Sequence, residues 1–197
     1  MLHSLRCTGF ASADRLRALL GPEIGEDVED LLLELAVRGL VTYTGGAFGG
    51  WGLTDEGQHA DAERIATELD RAGARSDVDA AYQDFLELNP DVLDICTAWQ
   101  MRSVDGTPVL NDHTDQAYDA DVLARLAATD VRVQPICSRL ADHLDRFSSY
   151  GPRLATALKR AEHGERDLVA DNLDSYHTVW FQLHEDLLVT LGLSRES

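Results

Sequence analysis

The stretch RGLVTYTGGAFGGWGLTDEG, residues 38–57, decides the fold of the first part of the chain. Gly39 is a natural end for a preceding helix, because glycine tolerates the left-handed conformation that closes many helices. Residues 40–43 and 51–53 predict two short strands, and the glycine-rich segment between them predicts a turn. Thr54 then predicts the N-cap of a new helix. The stretch therefore predicts a β-hairpin between two helices.

Helical patterns flank this hairpin on both sides. Ser12 predicts the N-cap of a short helix over about residues 12–20, after a lead-in over residues 1–10. Apolar residues at helical spacing predict a second helix over about 25–38 and a third over about 55–72. The predicted inward positions are Val28, Leu31, Leu32, Leu35 and Ala36 in the second helix, and Ala62, Ile65, Ala66 and Leu69 in the third.

Two helices, a two-stranded hairpin and a third helix follow the order of a winged helix-turn-helix. The segments RGLV at 38–41 and LTDEG at 53–57 resemble the pattern of MarR-like winged-helix transcriptional regulators. The resemblance covers roughly residues 10–72 and implies a winged-helix domain over residues 1–73. It also implies that the second helix enters the DNA major groove while the wing touches the backbone. The basic residues available for DNA contact are Arg15, Arg17 and Arg38.

The charge of the chain argues against strong DNA binding. Its 35 acidic residues outnumber 17 basic ones, which gives a formal net charge of -18. The candidate recognition helix carries the acidic residues Glu26, Asp27, Glu29, Asp30 and Glu34. Such a helix meets the phosphate backbone with repulsion. A winged helix that binds DNA and one used for protein contact or dimerisation therefore stay as alternatives.

The rest of the chain, residues 78–197, predicts a bundle of four or five helices. The predicted helices cover about 78–88, 90–102, 115–147, 151–163 and 166–191, with a loop over 103–113. Asn89-Pro90 ends the first of these helices and starts the next, and Asp105-Gly106 and Pro108 act as breakers in the loop. The predicted fold class is therefore mainly α, with an N-terminal winged helix-turn-helix and small β-wing followed by a C-terminal helical bundle.

The last predicted helix carries two histidines on its apolar face. His177 and His184 share that face with apolar residues at helical spacing. We expect the face to be buried, and a buried imidazole needs a polar partner. The rings lie about 10 Å apart along the helix axis, which is too far for a two-histidine metal chelate. The apolar members of the face are Leu173, Trp180, Phe181, Leu188 and Leu191.

Asp130 lies on the apolar stripe of the long predicted helix, about one turn before Pro135. Proline removes a backbone hydrogen bond, so we expect a kink beside this carboxylate. Asp130 facing the two histidines predicts either a structural Asp–His pair or a small-molecule pocket. The sequence has no close ligand spacing, so no metal is predicted, and no cofactor is identified. The predicted ligand-binding residues are Trp99, His113, Asp130, Tyr176, His177, Trp180 and His184.

A winged helix followed by a helical bundle also resembles, more weakly, the GntR-like regulators that carry FCD-type effector domains. That resemblance implies a ligand-binding bundle, since FCD-type bundles hold a metal or a small carboxylate through Asp and His residues. We therefore expect a regulator whose bundle binds a small molecule and modulates contact with DNA or a protein partner. The alternative is an enzyme or enzyme-accessory subunit with an acid–base site in the bundle, formed by Asp130 and His177.

Location and assembly follow from weaker signals. No segment approaches the ~18 to 20 apolar residues of a membrane span. The N-terminus lacks an apolar signal core, so we expect a cytoplasmic protein with no membrane partner. Cys7, Cys96 and Cys137 are too few and too scattered to predict a disulfide framework or a zinc ribbon. A homodimer is a further expectation, because winged-helix proteins pair through helices such as the one predicted over residues 55–72.

Overall fold

The computed structural model describes residues 1–21, 27–46 and 49–194. These residues form eight α-helices, two 3₁₀ helices and two two-stranded antiparallel sheets, so the predicted mainly α class is confirmed. The chain divides into two compact units. The first unit contains Met1–Gly73 and His184–Ser197, and the second contains Ala74–Leu183. No helix in the described part of the chain is long and apolar enough to cross a membrane.

The described residues of the first unit begin with three helices, a hairpin and a longer helix. Their bounds are α1 Leu2–Thr8, α2 Ala13–Leu20, α3 Val28–Val37, β1 Val41–Thr44, β2 Gly50–Leu53 and α4 Asp55–Ala72. Both predicted caps are confirmed. Ser12 accepts the Arg15 N–H at 3.1 Å at the start of α2. Thr54 accepts the Gly57 N–H at 3.0 Å and donates its hydroxyl to the Gly39 carbonyl at 2.6 Å, so one side chain joins the end of α3 to the start of α4.

The hairpin carries a third, single-residue strand partner. β1 pairs with β2 from Val41↔Leu53 to Thr44↔Gly50. Ala11 bridges Trp51 through two backbone hydrogen bonds of 3.0 and 2.8 Å. Two predicted features, the start of the second helix at 25–26 and the wing residues 47 and 48, lie outside the described residues.

Gly57 shows why the LTDEG segment needs a glycine. A Cβ at this position lies 1.9 Å from the backbone carbonyl oxygen of Leu40, far inside van der Waals contact. The first turn of α4 therefore packs directly on the chain that leaves α3. Any other residue forces these two segments apart.

Apolar side chains from α1 to β1 form the core of the first unit. Its fully buried members are Leu5, Leu16, Val28 and Leu32, joined by Ala11 and Val41. Each fully buried leucine or valine stabilises the fold by about 1.5–3 kcal/mol relative to an exposed one. In α4 the prediction was partly wrong. Ile65 and Leu69 are buried as expected, but Ala62 and Ala66 are exposed, and the third inward position is the carboxylate of Asp61.

The second unit contains two long helices, a hairpin and shorter helices. Their bounds are α5 Arg75–Gln100, β3 Met101–Val104, β4 Thr107–Leu110, α6 Gln116–His143, a 3₁₀ helix Asp145–Ser149, α7 Tyr150–Glu162 and a 3₁₀ helix Arg166–Leu168. The last helix, α8 Tyr176–Leu191, contributes residues to both units.

The predicted break at Pro90 is wrong, because α5 runs through it as one helix. Proline at this position removes only the hydrogen bond to the Leu86 carbonyl. Phe85 and Leu88 before it and Val92 after it are all buried on one face of the helix. Burial of that continuous face outweighs the loss of one backbone hydrogen bond.

The predicted loop over residues 103–113 is also wrong, because most of it forms a β-hairpin. Val104 pairs with Thr107, and the two residues between them have φ values of 51° and 79°. Positive φ at both central positions is the type I′ turn that Asp-Gly favours between two strands. The Asp105-Gly106 pair was therefore a hairpin signal and not only a helix breaker.

The last helix begins later and faces differently than predicted. It starts at Tyr176 instead of about residue 166, because Ser175 accepts the Thr178 N–H at 3.2 Å and acts as its N-cap. Leu173 and Phe181 are 68% and 46% exposed, so the predicted inward face is wrong at both. Trp180, Leu188 and Leu191 are buried as predicted, together with Tyr176, Val179, Leu183 and Leu187. His177 and His184 are only half-buried.

Candidate functional site

Four polar side chains of the first unit meet in its interior and form what we call the His3 cluster: His3, Cys7, Asp61 and Asp186. The His3 ring lies between two carboxylates, donating from Nδ1 to Asp61 at 2.9 Å and from Nε2 to Asp186 at 3.0 Å. The two acids are 0% and 1% exposed. The cluster thus joins α1, α4 and the end of α8 that belongs to the first unit.

Electrostatics keep the imidazole charged. Burial by itself disfavours the charged ring, but the hydrogen bonds to Asp186 and Asp61 outweigh it and raise the pKa of His3 to about 12. His3 is therefore an imidazolium at neutral pH. Arg64 approaches the other oxygen of Asp61 at 3.2 Å and offsets part of the second negative charge.

Cys7 and Thr190 complete the surroundings of Asp186 and His3. The Cys7 sulfur lies 3.5 Å from His3 Nε2. The Thr190 hydroxyl donates to the Asp186 backbone carbonyl at 2.6 Å and lies 3.2 Å from its carboxylate. One donor atom each from His3, Cys7 and Asp186 lies within 4.8 Å of the others, so these described residues are a set that could hold a metal ion.

The sequence analysis missed the His3 cluster. Glu185 and Asp186 fall outside the predicted apolar face of the last helix, which predicts that both acids are solvated. That prediction is wrong for Asp186, whose side chain is buried. Two local signals were available. His3 and Cys7 are four residues apart on α1 and therefore share a face, and Asp61 repeats at helical spacing with Ile65 and Leu69.

In the second unit, the predicted site residues Asp130, Tyr176 and Trp180 come together. The Trp180 ring stacks on Tyr176 with centroids 6.3 Å apart and donates its N–H to Asn89 at 2.9 Å. Asp130 accepts a hydrogen bond from Gln134 at 3.1 Å. The Tyr176 hydroxyl is buried and interacts electrostatically with Asp130, but it makes no hydrogen bond of normal geometry within the described residues.

Burial is the main cause of the pKa shifts of Asp130 and Cys137. It raises the pKa of the Asp130 carboxyl, and the Gln134 and Tyr176 side chains oppose that shift. Burial, followed by the negative charge of Asp130, raises the pKa of the Cys137 thiol to about 12. A thiol with that pKa stays protonated at neutral pH, so Cys137 lacks the thiolate that nucleophilic chemistry requires.

The remaining predicted site residues are Trp99, His113, His177 and His184. His113 and Trp99 meet near the second hairpin, with ring centroids 4.6 Å apart. His113 Nδ1 lies 3.0 Å from the Asp119 carboxylate, and Asn111 donates to Asp119 at 2.9 Å. His177 belongs to the second unit, whereas His184 is grouped with the first. The predicted ligand-binding residues therefore belong to both units, with His184 in the first and the others in the second.

The outward face of α3 is acidic and apolar. Leu33 and Val37 are 57% and 90% exposed, and the exposed acids on this helix are Glu29, Asp30 and Glu34. Arg17 contacts both carboxylate oxygens of Glu29 at 2.5 and 2.6 Å. Its guanidinium also contacts Asp14 at 2.5 Å, so its charge is offset by two acids. Arg15 is half-buried on α2, and Arg38 is exposed at the end of α3.

Comparison with known proteins adds no family to these observations. No protein-family model, curated protein or solved structure matches this chain. The functional assignment rests on the contacts and charges described above.

Proposed function

We propose that the protein is a winged-helix regulator that contacts a protein partner through the outward face of α3. The Ala11–Trp51 bridge carries this proposal. It adds a strand position between α1 and α2 to the β1–β2 hairpin. The resulting order of helix, strand residue, two helices, two strands and helix is the order expected of a winged helix, in which the second helix of the motif is the contact element.

The chemistry of α3 favours a protein partner over DNA. DNA affinity rests on cations that neutralise phosphates, but the exposed side chains along α3 are mostly carboxylates. Arg17, one of three arginines expected to contact DNA, is engaged by Glu29 and Asp14. Leu33 and Val37 are large apolar groups left exposed among these acids. A partner with a basic rim and an apolar centre complements this face.

We propose further that the second unit binds a small polar ligand in a cavity of about 230 Å³ between α7 and the start of α8. Arg153 and Arg160 line this cavity beside Asp174, and Val179 supplies an apolar contact from α8. Arg160 also pairs with Glu165, so the wall carries both charges and suits a small molecule that hydrogen bonds can orient. We propose that a ligand bound there modulates the contact with the protein partner.

Site-specific photo-crosslinking tests the protein-contact proposal. A photo-reactive amino acid at Val37 should give one discrete protein adduct in the source cells. The same group at Val131, which is 73% exposed in the second unit, is the matched control and should give none. Adding Glu34→Lys to the Val37 variant should remove the adduct, because the added cation repels a basic partner.

A DNA-binding measurement distinguishes the alternative. Fluorescence anisotropy with duplex DNA at low salt should show no binding by the wild-type protein. Binding that weakens steeply with salt and is reduced by Arg38→Ala would assign the same face to DNA and overturn the protein-contact proposal.

A further inference from the structure

We propose that His3, Cys7 and Asp186 bind a divalent transition-metal ion of the zinc class, with Asp61 orienting the His3 ring. All four residues belong to the first unit, and none lies on the outward face of α3. The site is therefore independent of the proposed partner surface and of the ligand cavity in the second unit.

The distances between the donor atoms fit one tetrahedral ion. Zinc bonds of about 2.0–2.3 Å place neighbouring ligand atoms roughly 3.3–3.5 Å apart. His3 Nε2 lies 3.0 Å from Asp186 Oδ1, and the Cys7 sulfur lies 3.5 Å from the same nitrogen. The third pair, Cys7 and Asp186, lies within 4.8 Å. Ordinary side-chain adjustment brings all three atoms to coordinating distance.

Secondary structure holds two of these ligands in place. His3 and Cys7 are four residues apart within α1, the spacing that puts two side chains over one face of a helix. Asp186 reaches the same point from α8. A two-residue chelate on one helix completed by a third residue from another element is a common way to build a metal site.

The neighbours of the ligands suit a second coordination shell. A metal-binding histidine usually donates its other ring N–H to a carboxylate, which fixes the ring orientation. Asp61 accepts that hydrogen bond from His3 Nδ1 at 2.9 Å, so His3 Nε2 points at Cys7 and Asp186. Thr190 holds Asp186 in turn through a contact of 3.2 Å with its carboxylate.

The charge of the cluster is conserved when the ion binds. A divalent ion displaces one proton from His3 Nε2 and one from the Cys7 thiol, and both protons leave to solvent. The two positive charges that enter equal the two that leave, so the buried site gains no net charge. Thiolate and imidazole ligands favour zinc-class ions over magnesium or calcium.

Cobalt(II) is the probe for this site, since it reports coordination through its absorption spectrum. The chelator-treated full-length chain should bind one equivalent of Co²⁺ with tetrahedral visible bands and a thiolate-to-cobalt charge-transfer band, and Zn²⁺ should displace it. Cys7→Ser should lose the charge-transfer band. The matched control Cys96→Ser removes a buried thiol of the second unit and should keep the complete spectrum.

Affinity ranks the two carboxylates. Asp61→Asn should weaken Zn²⁺ affinity by about 10- to 100-fold, the usual effect of removing a second-shell partner. Asp186→Asn removes a ligand and should weaken Zn²⁺ affinity more than that. Circular dichroism checks that each variant folds. If either acid variant does not fold, Cys7→Ser decides, because it leaves both His3 ion pairs in place. The absence of a cobalt band in the wild-type protein, or an identical band in Cys7→Ser, overturns the proposal.

Discussion

The two units each bury aspartate, but they stabilise it in different ways. In the first unit, Asp61 and Asp186 flank a charged His3, so a buried cation meets the buried anions. In the second unit, Asp130 faces the neutral side chains of Gln134 and Tyr176, and burial raises the pKa of its carboxyl. The same residue type therefore faces a buried cation in one region and neutral hydrogen-bond donors in the other.

This difference has a physical cause that can be tested. A buried carboxylate keeps its charge only when the interaction with a cation exceeds the cost of desolvation. In the His3 cluster, the His3 imidazolium supplies the cation for both carboxylates. The Asp130 group relies on neutral hydrogen-bond donors, which stabilise an anion less than a cation does.

The largest expected effect is on the His3 cluster. His3→Ala leaves two buried carboxylates without their shared cation, so the free energy of unfolding should fall by about 3–5 kcal/mol. Urea denaturation followed by circular dichroism, with a chelator present, measures the loss. His59→Ala is the matched control, because His59 is an exposed histidine of the same unit, and it should change stability by no more than about 0.5 kcal/mol. Equal losses of stability in His3→Ala and His59→Ala would show that the His3 ion pairs do not stabilise the buried aspartates of the first unit.

A medium effect is expected when the Asp130 carboxyl loses its donor. Gln134 donates to Asp130 at 3.1 Å and to the Gly151 carbonyl at 3.1 Å. Gln134→Leu should therefore destabilise the protein by about 1–3 kcal/mol, the cost of leaving buried acceptors unsatisfied. The same denaturation experiment measures the loss. Adding Asp130→Asn to Gln134→Leu should restore part of the lost stability. No restoration would show that the Asp130 carboxylate is not the acceptor left unsatisfied.

A smaller effect of opposite sign is expected for Asp130→Asn alone. The folded state holds the Asp130 proton more tightly than the unfolded chain, in which the carboxyl pKa is near 3.8. The wild-type protein therefore loses stability from this group as pH rises through the raised pKa, and the variant does not. Relative to wild type, Asp130→Asn should gain stability between acidic and neutral pH, by less than about 1 kcal/mol. Denaturation midpoints across that pH range measure the difference, and a gain that grows toward acid would contradict the sign.

The smallest effect is expected for Tyr176→Phe. The Tyr176 hydroxyl is buried without a hydrogen bond of normal geometry within the described residues, so its removal should change the free energy of unfolding by no more than about 0.5 kcal/mol. The variant should also raise the pKa of Asp130 further, because the tyrosine side chain opposes the upward shift. NMR titration of the carboxyl measures that shift. A large loss of stability would show that the hydroxyl makes a strong interaction with Asp130.

Local signals in the sequence predicted the first unit well. The caps at Ser12 and Thr54 and the bounds of α4 depend on side chains within a few residues of the helix ends. The second hairpin was missed although its Asp105-Gly106 turn is also local, because Pro108 favoured a loop. The helix break predicted at Pro90 in α5 was also wrong. Burial of apolar residues on either side of Pro90 outweighs the preference of proline for the start of a helix.

The His3 cluster was beyond prediction for a different reason. Its residues come from α1, α4 and α8, and only the tertiary fold brings them together. Asp186 follows another acid, Glu185. In such a run, the spacing of residues alone does not show which aspartate is buried and which is solvated. The local indications were the spacing of His3 and Cys7 on one short helix and the helical repeat of Asp61 with Ile65 and Leu69.

The grouping of residues 184–197 with the first unit has a consequence for synthesis of the protein. The ribosome completes the whole second unit before Asp186 emerges, so His3 and Asp61 cannot meet their third partner until residues 74–183 have been synthesised. Contacts between such distant segments slow folding, because a long loop must close before they form. The contact between His3 and Asp186 is therefore expected to form after the core of α1 to β1, which needs no residue from α8.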